Sequence, residues 1–167
     1  WPVETYDPLR TLPAFDKLIK TGLIRHIGLS NFTENLIEDA QEFANNPIRI
    51  NQIECHPYLP QKEMRTYLQE KGIRMVAYSP LAKGEILDEP IIKRIAKRKQ
   101  KSPAQIALAW SMDHGMIPIP KASKPNHIKE NYDAQTISLE KDEMMEINGI
   151  QTRKRMVEAV PGHPGWN

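Results

Sequence analysis

The chain has 167 residues, 40% hydrophobic and 26% charged; that is enough to bury a core and excludes a disordered polypeptide. A net charge of +2 gives no pull toward nucleic acid or a membrane surface, and no apolar run reaches the ~18 residues of a membrane span. The single cysteine, Cys55, excludes a disulfide framework and points to a cytoplasmic setting.

Thr11 is placed to cap a first helix that presents Leu12, Phe15, Leu18 and Ile19 on one face and stops at Gly22. A β-rich run over 25–29 follows and ends on Ser30-Asn31. Thr33 opens a second helix with Leu36, Ile37, Ala40, Phe43 and Ala44 on one stripe. The next β-rich run, 48–53, leads into "QIECHP". A third helix over 61–71 stops at Gly72, and a third run, 73–77, ends in Tyr78-Ser79-Pro80. Asp88 is placed to cap a fourth helix carrying Ile91, Ile92, Ile95 and Ala96. Ser102-Pro103 starts a fifth, a capping residue followed by proline at the first helical position. The last run, 116–119, ends in Pro120-Lys121. Helices over 126–134 and 139–148 complete the pattern, the latter with Met144, Met145 and Ile147 inward and Asp142, Glu143 and Glu146 solvated. The basic cluster Lys93 to Lys101 lacks interleaved aromatic residues and reads as a solvated helix face.

Strand and helix alternate four times with brief linkers, the signature of βα units on a parallel sheet within one domain, 1–167. In such folds the carboxyl ends of the strands build the site. Here those ends are polar or aromatic. Asn31 and Gln52 offer amides, and Tyr78 offers a flat ring for stacking. Lys121 precedes a helix that Ser123 or Asn126 is placed to start, and a helix N-terminus favours an anion. A flat ring bearing a carboxamide and joined to phosphates is a nicotinamide nucleotide. Neither G-x-G-x-x-G nor a Walker sequence is present. Adjacent strand residues point to opposite faces, so Cys55 and His56 read as a structural cysteine and a loop histidine rather than a nucleophile with its base. His26, His114, His127 and His163 show no zinc-ligand spacing.

The stretches "GLIRHIGLSNF", "NQIECHPYL", "VAYSPL" and "IPIPKASKPNHIKEN" resemble, in order, the strand-end motifs of the aldo-keto reductases. The resemblance runs from Trp1 to about Leu139. It implies a (β/α)8 TIM barrel of which this chain covers about strands 5–8, their helices and the C-terminal tail, cut from a longer protein. It further implies reduction of small aldehydes or ketones with NADPH, without metal. By position, Ser30, Asn31 and Gln52 would hold the nicotinamide carboxamide and Tyr78 would stack on its ring. Ser79, Leu81 and Gly84 would follow the pyrophosphate. Lys121 and Ser123 would face the 2′-phosphate end, Glu130 and Asn131 the adenine, and His127 would stand where an arginine clasps the phosphate or stacks on adenine. Trp1, and Trp166 in the tail, would line the substrate pocket.

Many NADPH-preferring members carry serine and arginine where this chain has Ala122 and His127, which leaves NAD as a second cofactor. The family's catalytic tyrosine, lysine, aspartate and histidine lie on earlier strands, so the resemblance places no catalytic residue here. A half-barrel alone exposes two strand edges and is expected to be unstable as a monomer; the full-length form is expected to be a monomer or weak dimer. Two alternatives stay open. One is a nucleotide-binding or regulatory module without turnover, as in family relatives that serve as channel subunits. The other is a Schiff-base aldolase using Lys121 or Lys83.

Overall fold

Helix stops and starts follow the local chemistry of the chain. The structure, a computed structural model, describes residues 1–158. In chain order the elements are α1 (Pro8–Lys20), β1 (Ile27–Ser30), α2 (Glu34–Phe43), β2 (Ile48–Glu54), α3 (Lys62–Glu70), β3 (Arg74–Tyr78), α4 (Pro90–Lys99), α5 (Pro103–Asp113), β4 (Ile117–Pro118), α6 (Pro125–Asp133) and α7 (Lys141–Asn148). Gly22 and Gly72 both take left-handed φ, +74° and +67°, and end α1 and α3 as expected. In each case the next residue reaches back to the preceding turn, Leu23 N to Leu18 O at 3.0 Å and Ile73 N to Leu68 O at 2.8 Å. Thr33 caps α2, and Ser102 with Gln105 forms a full capping box on α5.

Other ends differ from expectation. α1 starts at Pro8, capped by the Asp7 carboxylate rather than by Thr11. α4 is capped by Glu89, whose side chain accepts from Ile91 N, rather than by Asp88. In both, a proline at the first helical position fixes the start and makes its predecessor the cap. α6 follows the same rule: it begins at Pro125 after Lys124, so neither Ser123 nor Asn126 starts it.

The chain forms two compact units. The first comprises Trp1–Ile53 and Lys62–Met75, with Glu158. In it β1 and β2 pair in parallel, with an irregularity between Ile27 and Gly28. Leu12, Ile27, Leu29, Ile37, Ala40, Ile48 and Leu68 form its core. Phe15, placed by its helical spacing on the buried stripe, is 38% exposed. The second unit comprises Glu54–Gln61 and Val76–Val157. Here β3 pairs in parallel with β4, Val76 opposite Ile117. α5 is buried along Gln105 to Ser111, as a helix apolar on all sides must be. Its Trp110 indole donates to Asn148 Oδ1 at 2.9 Å.

α7 reverses part of its expected pattern. Met145 is 66% exposed, while Glu143 is buried. The Glu143 carboxylate accepts from Arg98 at 2.9 Å, from Lys99 at 3.0 Å and from Glu140 N at 2.8 Å. Burial pushes this carboxyl up, and the three donors outweigh it, leaving it below the ordinary range. The cations that make the burial tolerable come from α4, beyond the reach of any local pattern.

In the first unit one carboxylate ties α1 to the loop before β2. Asp16 accepts the backbone and side-chain N–H groups of Asn45 at 2.7 and 3.0 Å and those of Asn46 at 3.1 and 2.7 Å. The Asn46 side chain, then the Asn45 backbone, hold its carboxyl below the ordinary range. A depressed folded-state value means stability that is present above the unfolded carboxylate value, about 3.9, and lost as pH falls through the folded one. Asp16→Ala is expected to cost about 2–3 kcal/mol in urea unfolding at pH 7. The difference from wild type should shrink below about pH 4. An unchanged midpoint at pH 7 would remove Asp16 from the account.

Candidate functional site

In the first unit, β1 ends on Ser30 and the chain turns at Asn31, whose φ is +60°. Asparagine is one of the few residues with a side chain that take this region readily. Asn31 N and Ser30 Oγ both donate to the Gln52 carbonyl, at 2.9 and 3.2 Å, and Asn31 Nδ2 donates to Ser30 Oγ at 3.1 Å. The three residues expected to hold a carboxamide are thus drawn into one cluster where β1 and β2 end. Behind them Asn51, fully buried, works like one more ladder rung: its Nδ2 donates to Phe32 O at 2.9 Å and its Oδ1 accepts from Phe32 N at 3.4 Å. Sequence reasoning passed over Asn51, although its place next to Gln52 on a strand puts it on the opposite face, where a buried amide needs partners.

A cleft of about 470 Å³ opens beside this cluster, lined among others by Trp1, Tyr6, Phe15, Ser30, Phe32 and Gln52. Trp1, expected at a substrate pocket, therefore shares a cavity with two of the three polar residues. Phe32 meets Tyr6 edge-on at 5.2 Å between ring centroids. Phe15, which departs from the buried helical stripe, is part of this wall.

In the second unit β3 ends on Tyr78, half-buried. The following loop takes left-handed φ at Ser79 (+48°), Ala82 (+48°), Lys83 (+52°) and Gly84 (+100°). Three of these four residues carry a Cβ that disfavours this region. Hydrogen bonds from Ala82 N to Ser79 O and from Gly84 N to Leu81 O, both 2.8 Å, hold the turns. Backbone that mixes right- and left-handed residues can gather N–H groups into a concavity suited to anions. Ser79, Leu81 and Gly84, the three expected pyrophosphate residues, all belong to this loop.

The segment between β4 and α6 carries Lys121 and Ser123, both exposed. α6 starts without a side-chain cap. His127, Glu130 and Asn131 lie at helical spacing on one face of it. Gln105 Nε2 donates to the Glu130 carbonyl at 3.2 Å, which ties this face to α5. Asn131 lines a second cleft, about 310 Å³, with Met116, Pro118, Pro120 and Tyr132. Lys83 and Lys121 are both exposed, so neither has the burial on which a Schiff-base reading depends.

His56 lies in the loop after β2, as expected, yet it is fully buried: its Nε2 stands 2.8 Å from Oε1 of Glu54, which is also fully buried. Nearby, the Tyr58 hydroxyl donates to Glu89 at 3.1 Å. Burial and then that carboxylate push the phenol up to about 12, so it stays protonated. Trp166 lies outside the described residues. Among those described, no helix is long and apolar enough to cross a membrane.

Comparison with known proteins fits this arrangement. The chain is 42% identical over 156 residues to the uncharacterized oxidoreductase YtbE of Bacillus subtilis, covering 93% of this chain and 55% of that protein. It is 39% identical over 146 residues to the glyoxal reductase of the same organism, covering 87% and 53%. Among solved structures, a Gox0644 point mutant in complex with NADPH superposes with a TM-score of 0.82 at 31% identity, over 95% of this chain and 56% of that one. The chain thus spans about half the length of the curated relatives it matches. Residues 1–152 match the sequence pattern of the aldo/keto reductase family, and the chain, an α/β polypeptide of the TIM-barrel type, belongs to that family.

Proposed function

We propose that this chain supplies the dinucleotide-holding part of a carbonyl reductase, with NADPH as the preferred coenzyme, NAD as the second, and small aldehydes or ketones as substrates. The observation that carries the reading is that Ser30 and Gln52 line the cleft walled by Trp1, with Asn31 hydrogen-bonded to both of them. A carboxamide needs both donors and acceptors within reach, and a hydroxyl beside two amides offers them. Tyr78 presents the ring for stacking, and the 79–84 loop the backbone for a pyrophosphate. Lys121, Ser123 and Lys124, at the open start of α6, give the positive potential that a further phosphate requires. Bound there, the reduced nicotinamide supplies the hydride for carbonyl reduction. A relative named for glyoxal reduction and a structural neighbour that holds NADPH support the same reading.

Carbonyl reduction also needs a proton donor at the developing alkoxide. By the family resemblance the catalytic tyrosine, lysine, aspartate and histidine belong to earlier strands, so we assign this chain binding and positioning alone. Titration of the chain with NADPH, followed by tryptophan fluorescence, should show saturable binding without carbonyl-dependent oxidation of the nucleotide. Gln52→Leu and Tyr78→Ala should each weaken it about tenfold, the effect of roughly 1.4 kcal/mol of lost hydrogen bonding or stacking. Absence of saturable binding, or affinity unchanged in both variants, would contradict the reading.

The choice of coenzyme turns on His127, exposed on α6. A guanidinium grips a phosphate through two parallel hydrogen bonds and always carries charge, whereas a neutral imidazole does neither. His127→Arg is expected to raise the preference for NADPH over NADH about tenfold, read as the ratio of the two dissociation constants. A ratio equal to wild type would show that position 127 does not meet the 2′-phosphate.

A further inference from the structure

The segment 153–157 has no helix or strand of its own, yet its backbone is fastened at three amides. Lys154 N donates to the Tyr58 carbonyl at 3.1 Å. Met156 N donates to Glu54 Oε1 at 2.6 Å and Val157 N to Glu54 Oε2 at 3.1 Å. The same carboxylate receives His56 Nε2 at 2.8 Å, and Arg155 Nη1 stands 3.9 Å from Oε2. Glu54 is fully buried. An ionised carboxylate is acceptor-only, so a single side chain serves all these donors. A buried carboxylate is tolerated when hydrogen bonds of this kind surround it.

This assignment fixes the imidazole as well. His56 Nε2 must carry a proton to donate to the carboxylate. His56 Nδ1 is buried and has no hydrogen-bond partner among the described residues.

The residue after Glu54 carries the link to β3: Cys55 N donates to Tyr78 O at 3.3 Å. By contrast, Lys154 Nζ meets the Glu85 carboxylate at 2.6 and 2.8 Å in an exposed pair, worth little.

We propose that Glu54 is a positioning residue: its carboxylate straps residues 154–157 against the end of β2, next to the Cys55 amide that holds the Tyr78 carbonyl, and the strap sets the affinity for the dinucleotide through the placement of Tyr78. The strap itself stands on the hydrogen bonds alone; its effect on affinity rests on the reading of Tyr78 as the ring-stacking residue.

The test compares the wild-type chain with Glu54→Gln, an isosteric change that leaves one good acceptor where three donors converge. Amide hydrogen exchange is read residue by residue, and NADPH affinity by titration. Exchange at Met156 and Val157 is expected to speed up at least about tenfold while the amides of β3 and α5 keep their rates, and NADPH is expected to bind about tenfold more weakly. A purely structural role would speed exchange throughout the second unit, and that result overturns the proposal. So does unchanged exchange at 156 and 157, and so does an opened strap with unaltered NADPH affinity. If Glu54→Gln does not fold, Val157→Pro removes one donor and leaves the buried pair intact, with the same expectations. Failure of the wild-type chain to bind NADPH would refute the proposed coenzyme site and, with it, the effect on affinity, while the exchange comparison would still decide whether Glu54 holds the strap.

Discussion

Where a strand of a parallel sheet ends, the ladder stops, but the backbone and side-chain polar groups there are still partly buried and still need partners. Much of the polar architecture of this chain answers that requirement. After β1, Asn51 pairs both backbone groups of Phe32 with one side-chain amide. After β2, the Glu54 carboxylate gathers the His56 ring and two amides from a segment about a hundred residues downstream. Such groups hold the strand ends in set positions, and a site built there inherits that rigidity.

The side chains expected to meet a ligand are of a different kind. Ser30 and Gln52 are half-buried and border a cavity, whereas Asn51 and Glu54 are wholly buried and spend their hydrogen-bonding capacity on the protein. Asn31, in the left-handed region, is buried behind Ser30 and Gln52 and donates its side-chain amide to Ser30 Oγ. Backbone held in sparsely populated regions needs surrounding contacts to over-determine it, and at Asn31 the hydrogen bonds around Gln52 O do that.

Features that depend on neighbours in sequence were legible beforehand. Glycine at 22 and 72, threonine at 33, and Ser102 before Pro103 act through their own backbone and the turn beside them, so pattern reading found them. The caps at Asp7 and Glu89 were missed because the prolines that follow them were not weighed. Burial of charge was not legible at all. Glu143 looks solvated from its helix alone, and only Arg98 and Lys99 of α4 make its burial tolerable. His56 is a loop residue whose burial its neighbours do not reveal, because the donors that converge with it on Glu54 lie about a hundred residues downstream. As for the site, the types of strand-end residue pointed to a nicotinamide nucleotide, while the role of each residue came from the family's motifs. The resemblance assigns a carboxamide to Ser30, Asn31 and Gln52, and their hydrogen bonds bring these three residues together.

The central claim is that the ends of these strands hold a nicotinamide dinucleotide. Chemical-shift mapping of the 15N-labelled chain during addition of NADPH tests it residue by residue. The account predicts saturable shifts at the backbone amides of Ser30, Asn31, Ser79 and Gly84 and at the side-chain amide of Gln52, with a second group around Lys121 and Ser123. Shifts confined to other surfaces, or none at saturating nucleotide, would contradict it.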